Sequence, residues 1–274
     1  GHLLASGYPL TVYNRTKARA EGLLACGARW ADTPQEVARN SDVVFSIVGY
    51  PRDVEEVMLG EQGALSGLAE GGILCDMTTS SPELARRIAE AAAVKGCISL
   101  DAPVTGGDIG AREARLSIFV GGDKEAFERV RPCFEVMGKT ILHCGDSGSG
   151  QKAKLANQVA IAGVMFSVCE SMLFAQEAGL DVKQWLELVV PGGAGTVLAV
   201  ALGLGHAVDL FGQRKAGQYQ AHALAFFQAE TQILDEMVHE ETGCVVASQQ
   251  AAAQGALRLI AGKHNGALRP PEIM

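Results

Sequence analysis

The sequence predicts an α/β chain: a domain with a mostly parallel sheet over residues 1–148, then an all-helical domain over residues 149–274. Three observations predict it. Short apolar runs alternate with amphipathic stretches through the first half, the opening GHLLASGYPLTVYNRT passes from helix to turn to strand to polar tip, and strand-like alternation stops after Ser149.

In chain order, Leu3 and Leu4 belong to a short helix that Gly7 ends, and alternating residues 10–13 form a strand that stops at Asn14-Arg15-Thr16. This succession is that of the interior of a Rossmann-like βαβ nucleotide-binding unit. Further strands are expected at 43–48, 73–75, 98–102, 116–120 and 140–143. Helices at 33–39 and 81–94 open on Thr33-Pro34 and Ser81-Pro82, an N-cap hydroxyl followed by a proline whose missing N–H costs the first turn nothing. Beyond them, 151–178, 182–190, 221–238 and 245–260 carry helical periodicity alone.

Composition narrows the function. With 274 residues and 48% hydrophobic content the chain can bury two cores, and a net charge of −8 without basic runs excludes nucleic acid and anionic membrane as main partners, leaving a small-molecule substrate. Seven cysteines without a Cys-x-x-Cys pair suggest neither disulfides nor a metal site; the expectation is reduced thiols in a cytoplasmic protein. The uncharged stretch 189–208 is interrupted by Pro191 and several glycines, which suits a buried helix rather than a membrane span.

Five places carry chemistry. Asn14-Arg15-Thr16 follows a strand where nucleotide-binding folds place a carboxylate for the adenosine ribose; an arginine fork there suits a 2′-phosphate instead, which favours NADP, with NAD as the alternative. Val48 and Pro51 lie where the 43–48 strand ends, and Thr79 lies in the hydroxyl-rich DMTTSSP that ends the next, so all three stand at the strand ends where open α/β sheets bind ligands. In DAPVTGG, Thr105, Gly106 and Gly107 let backbone N–H groups turn toward an anion such as a carboxylate. GSGQKAKLANQ approaches a phosphate-binding loop, but Gln151 intervenes and Ala153 replaces the magnesium-binding hydroxyl, so that assignment is rejected. Its glycines instead open a helix on which Lys154 and Asn157 share a face with Ile161, Val164 and Val168, where a lysine is costly unless it works or is paired. Taken singly, the strand tip reads equally as a polar turn, Gly106-Gly107 as an ordinary glycine turn and Lys154 as a solvated side chain.

Taken together, NRT, DMTTSSP, DAPVTGG with LSIFVGG, and GSGQKAKLANQ occur in an order that resembles the β-hydroxyacid dehydrogenase family, related to 6-phosphogluconate dehydrogenase. The resemblance covers most of residues 1–190. It implies hydride exchange between a nicotinamide cofactor and a short 3-hydroxy acid or its semialdehyde. Within it, Lys154 is the general acid/base, Asn157 its companion, Thr105-Gly106-Gly107 the carboxylate loop and Thr79 a neighbour of the nicotinamide. Family members begin with a strand and a Gly-x-Gly-x-x-Gly loop; Gly1 is expected to fall inside the first helix, with on the order of fifteen to twenty residues of that unit ahead of it. Residues 195–227 depart from the family pattern, with Ala225 and Phe226 where relatives carry Lys-Asp.

An alternative reading is a catalytically silent relative that dimerises or binds ligand. Apolar residues on several faces of the 151–178 helix, Leu155, Val159, Met165, Met172 and Leu173 among them, predict a homodimer or homotetramer.

Overall fold

The computed structural model describes residues 1–189. Its elements are α1 (His2–Ala5), β1 (Thr11–Val12), a 3₁₀ turn (Lys17–Ala20), α2 (Glu21–Ala25), β2 (Arg29–Trp30), α3 (Pro34–Arg39), β3 (Val43–Ser46), α4 (Pro51–Leu59), α5 (Ala64–Gly67) and β4 (Ile73–Asp76). These are followed by α6 (Pro82–Val94), β5 (Ile98–Asp101), β6 (Val104–Thr105), α7 (Gly107–Arg112), β7 (Leu116–Gly121), α8 (Lys124–Met137), β8 (Gly138–Gly145), α9 (Ser149–Glu177) and α10 (Val182–Val189). Compact units divide between Ala156 and Asn157, inside α9, whereas the composition change places the expected boundary at Ser149. The helices expected at 221–238 and 245–260 lie outside the described residues.

In the first unit β1 and β2 pair in parallel as a two-stranded sheet, and a six-stranded sheet runs β3-β4-β5-β7-β6 with β8 beside β7. The β3-β4-β5 ladder and the β7-β8 pair are parallel, while β7 runs antiparallel to β5 and β6. This Rossmann-like sheet is therefore more mixed than the alternation of runs and helices suggests. The reversal has a local cause. Asp101 pairs with Gly121, Val104 with Ile118 and Thr105 with Ser117, so β5 and β6 form one bent strand in a single register against β7. The bend falls at Ala102-Pro103, where proline has no N–H to donate but its carbonyl still accepts from Phe119 at 3.0 Å.

Both faces of the sheet are covered, which is why its central strands are continuously apolar. In β4, Ile73 and Cys75 face a core with Leu100, Ile118, Val120, Phe127 and Phe134, while Leu74 between them faces Val44, Val54, Met58, Leu84 and Ile88. The helices around the sheet start on side-chain caps: Thr33 accepts the Glu36 N–H at 3.1 Å, Ser81 that of Leu84 at 3.3 Å and Asp123 that of Ala126 at 2.7 Å. In the second unit, Val168 of α9 and Leu186 of α10 pack together with Met172, Val182 and Trp185.

Candidate active site

The sequence ends β3, β4 and β5 on Ser46, Asp76 and Asp101, three polar residues that the ladder sets side by side. Asp76 is buried. Its Oδ1 accepts the Ser46 hydroxyl at 2.8 Å and the Thr78 N–H at 3.1 Å, and the Thr78 hydroxyl in turn accepts the Val48 N–H at 3.0 Å. Burial pushes the Asp76 carboxyl up to about 6, against the opposing pull of the Thr78 and Ser46 hydrogen bonds. The loop carrying Val48 is thereby tied to the loop carrying Thr79.

Asp101 works in a different direction. Its two carboxylate oxygens accept the main-chain N–H groups of Gly148 at 2.7 Å and Gln151 at 2.8 Å, at the start of α9. Burial raises its pKa, with these N–H donors opposing the shift. The carboxylate takes up helix-terminal donors that a phosphate-binding loop would offer its ligand.

The glycines of this motif have a packing reason of their own. A Cβ on Gly150 would lie 2.5 Å from the Phe119 carbonyl oxygen and 2.6 Å from that of Asp101, and one on Gly148 would lie 2.9 Å from the Pro82 carbonyl oxygen. Gly121, opposite, would place a Cβ 2.5 Å from an Asp101 carboxylate oxygen. The helix start therefore approaches the strand ends at backbone contact distance.

From that start, Gln151 is fully buried and reaches the Thr79 loop: its Nε2 donates to the Thr78 carbonyl at 2.8 Å and its Oε1 accepts the Ser80 N–H at 2.8 Å. Lys154, one helical turn further, is only 6% exposed. Among the described residues of the second unit, half-buried Asn157 donates through Nδ2 to the Gln158 Oε1 at 3.4 Å.

Thr105, half-buried, ends β6 at the tip of the β6–β7 hairpin, and Gly106 and Gly107 follow it exposed with φ of 127° and 62°. A Cβ on Gly107 would meet nothing within 4 Å, so the tip borders open space, beside exposed Ile109. At the other strand tip the Asn14 side chain accepts the Thr16 N–H at 2.8 Å, closing a turn from which Arg15 projects, 73% exposed, to reach the Asp53 carboxylate at 3.4 Å. Asp53 is itself fixed in the first turn of α4, after Pro51, by accepting the Tyr50 N–H at 3.1 Å. Lys17 lies over the Trp30 ring, 5.0 Å from its centroid.

The fold thus joins Val48, Thr79 and the Lys154 helix through hydrogen bonds, and joins Arg15 to the Pro51 turn through Asp53. The Thr105 loop is tied to them by chain connection from Asp101. Sequence reading missed Gln151, Asp76, Asp101 and Asp53. One signal was available for Gln151, its position three residues before Lys154 on the same helix. Among the described residues no group of three His, Cys, Asp or Glu side chains could hold a metal ion, and no helix is long and apolar enough to cross a membrane.

The chain resembles known proteins along most of its length. The profile of the NAD binding domain of 6-phosphogluconate dehydrogenase matches residues 1–145, and that of the NAD-binding domain of NADP-dependent 3-hydroxyisobutyrate dehydrogenase matches 148–208. A probable 3-hydroxyisobutyrate dehydrogenase-like protein 1, mitochondrial, of Arabidopsis thaliana is 51% identical over 215 residues, 78% of this chain and 61% of the relative. The 3-hydroxyisobutyrate dehydrogenase of Pseudomonas aeruginosa is 34% identical over 91% of this chain and 80% of its own. In fold, the chain is similar to Mycobacterium tuberculosis 3-hydroxyisobutyrate dehydrogenase, solved with L-serine, with a TM-score of 0.74 at 23% identity, covering 95% of this chain and 88% of that one. The match thus spans somewhat under two thirds of the length of the Arabidopsis relative.

Proposed function

Because the chain belongs to the β-hydroxyacid dehydrogenase family, we propose that it is an NADP-preferring oxidoreductase that interconverts a small 3-hydroxy acid and its semialdehyde, with Lys154 as general acid/base. The observation that carries the reading is a nearly fully buried lysine, held one turn beyond a glutamine that grips the backbone on both sides of Thr79.

The residues present fit a dinucleotide. Ile47 and Tyr50 leave apolar surface exposed at the end of β3, where a flat ring could pack, and the exposed Arg15 guanidinium stands with Asn14 and Thr16 at a tip that lacks its own carboxylate. Val48, Pro51 and Thr79 complete the set of contacts we assign to the cofactor. When bound, the dinucleotide supplies the two-electron redox chemistry. The chain's own residues do the rest. Thr105, Gly106 and Gly107 bind the substrate carboxylate and so orient the reacting carbon. Lys154 Nζ gives a proton to the carbonyl oxygen on reduction and takes it from the hydroxyl on oxidation, and Asn157 orients that oxygen or the lysine.

Exposed Phe174 of α9 and Leu188 of α10 support a homodimer or homotetramer. Free Cys26, Cys75, Cys97, Cys133 and Cys144 support a reducing, cytoplasmic setting.

The test follows NADPH oxidation with glyoxylate and with succinic semialdehyde, using the chain as it stands, the chain extended ahead of Gly1 by a strand and Gly-x-Gly-x-x-Gly turn, and both with Lys154→Ala. Activity that Lys154→Ala abolishes upholds the mechanism. A protein that binds NADPH, reduces neither aldehyde and oxidises no 3-hydroxy acid is a silent relative, and the proposal fails.

A further inference from the structure

We propose that Gln151 is a positioning residue whose side-chain amide sets Thr79 in register with Lys154; the inference rests on the roles given above to those two residues. Thr79 lies between the two residues that Gln151 holds. The Thr78 carbonyl accepts from Gln151 Nε2 and the Ser80 N–H donates to Gln151 Oε1, each at 2.8 Å, while Thr79 stays half-buried with its side chain outside this clamp. One planar amide satisfies an acceptor and a donor on the same loop, which a carboxylate or a thioether of similar length cannot do.

The clamp is anchored at its other end as well. The main-chain N–H of Gln151 donates to Asp101 at 2.8 Å, so the residue is fixed to the end of β5 by its backbone and to the Thr79 loop by its side chain. Three residues further along the same α-helix, a rise of roughly 4.5 Å, stands Lys154. The loop gripped by Gln151 is also the loop that Thr78 ties to the Val48 N–H. A group placed against Thr79 and a proton carried by Lys154 therefore share one rigid reference. Gln151 is fully buried and the Thr79 loop engages both ends of its amide, which argues for positioning and against direct contact with substrate.

The experiment compares the full chain with its Gln151→Met, Gln151→Glu and Lys154→Ala variants, reading kcat and KM for NADPH and aldehyde, the pH profile, and amide hydrogen exchange at Ser80. Gln151→Met is expected to lower kcat on the order of 100-fold with KM for NADPH within about threefold, the pattern of misplacement rather than lost binding. Gln151→Glu keeps the acceptor for Ser80 and regains a donor for Thr78 only when neutral, so its kcat relative to the unaltered protein should rise as pH falls from 8 to 6. A residue that merely fills space would lower thermal stability without that pH signature. A folded Gln151→Met protein with unchanged kcat, or a flat relative pH profile for Gln151→Glu, overturns the proposal. If Gln151→Met does not fold, Gln151→Glu decides alone. If the unaltered chain turns over no aldehyde, the functional reading fails separately, and Ser80 exchange decides the clamp. Protection that falls about tenfold or more in Gln151→Met upholds it, and an unprotected Ser80 amide in the unaltered chain, or protection unchanged in Gln151→Met, overturns it.

Discussion

Asp101 accepts the main-chain N–H of Gln151 at 2.8 Å, so the last residue of β5 caps the helix that bears Lys154. The same carboxylate takes the Gly148 N–H at 2.7 Å, leaving two buried donors dependent on one side chain. Asp101→Ala should therefore cost roughly 2–4 kcal/mol, and Asp101→Asn, which keeps one acceptor, about half as much. Urea unfolding of the two variants measures this. A cost for alanine below ~0.5 kcal/mol would mean that water replaces the carboxylate without penalty.

Asp76 should make stability depend on pH in the opposite sense to a salt-bridged carboxylate. Its folded-state value of about 6 lies above the ordinary 3.8, so between those values the folded protein binds more protons than the unfolded chain. The contribution is fully present below about 3.8 and is lost as pH rises through about 6, by no more than ~3 kcal/mol. Asp76→Asn keeps an acceptor for Ser46 and Thr78 and removes the titration. The difference in unfolding free energy between the variant and the unaltered protein should then grow in the variant's favour from pH 4 to pH 7, and a difference independent of pH would remove Asp76 as its source.

Arg15 and Asp53 form an ion pair at 3.4 Å whose arginine is largely in water, so the pair adds little to stability and Arg15→Ala should shift the unfolding midpoint by less than ~1 kcal/mol. Under the proposed function its effect falls on the cofactor. Calorimetric titration should show NADPH affinity falling about 10- to 100-fold in Arg15→Ala and NADH affinity changing little. Equal losses for both cofactors would place the 2′-phosphate elsewhere.

Two glycines of α9 should respond in opposite ways to alanine. At Gly150 the new Cβ would sit 2.5 Å from the Phe119 carbonyl oxygen and 2.8 Å from the Gly121 nitrogen, all backbone that cannot move aside, and about 3 kcal/mol or more should be lost. At Gly163 nothing lies within 4 Å, and alanine should stabilise the helix by roughly 0.5–1 kcal/mol. Thermal melts of the two variants separate the cases.

Much of this was legible in the sequence where burial imposes a period. The strands at 43–46, 73–76, 98–101 and 116–121 follow apolar runs because both sheet faces are covered, and Thr33-Pro34 and Ser81-Pro82 mark helix starts because capping is local chemistry. Arg29–Trp30 and Val104–Thr105 escaped because two residues carry no period; their pairing is made by neighbouring strands rather than by any local pattern. The antiparallel run of β7 was hidden in Pro103, which reads as the end of a strand and in fact only bends one. Gln151 read as a misfit in a phosphate loop because its partners, Thr78 and Ser80, lie some seventy residues earlier. The departures at 195–227 fall outside the described residues.

The joint made by Asp101, Gly121, Gly148 and Gly150 divides the chain's accessible sequence space unevenly. At Gly121 and Gly150 every side chain collides with fixed backbone or with the carboxylate, so a saturation scan should return no tolerated residue there and no second-site rescue. Gly107, at the hairpin tip, is limited only by its left-handed backbone, and residues such as Asn should pass. If the tip binds substrate as proposed, new substrate preferences would arise by change there, while the joint stays locked by steric exclusion and sets the frame within which such change can be read.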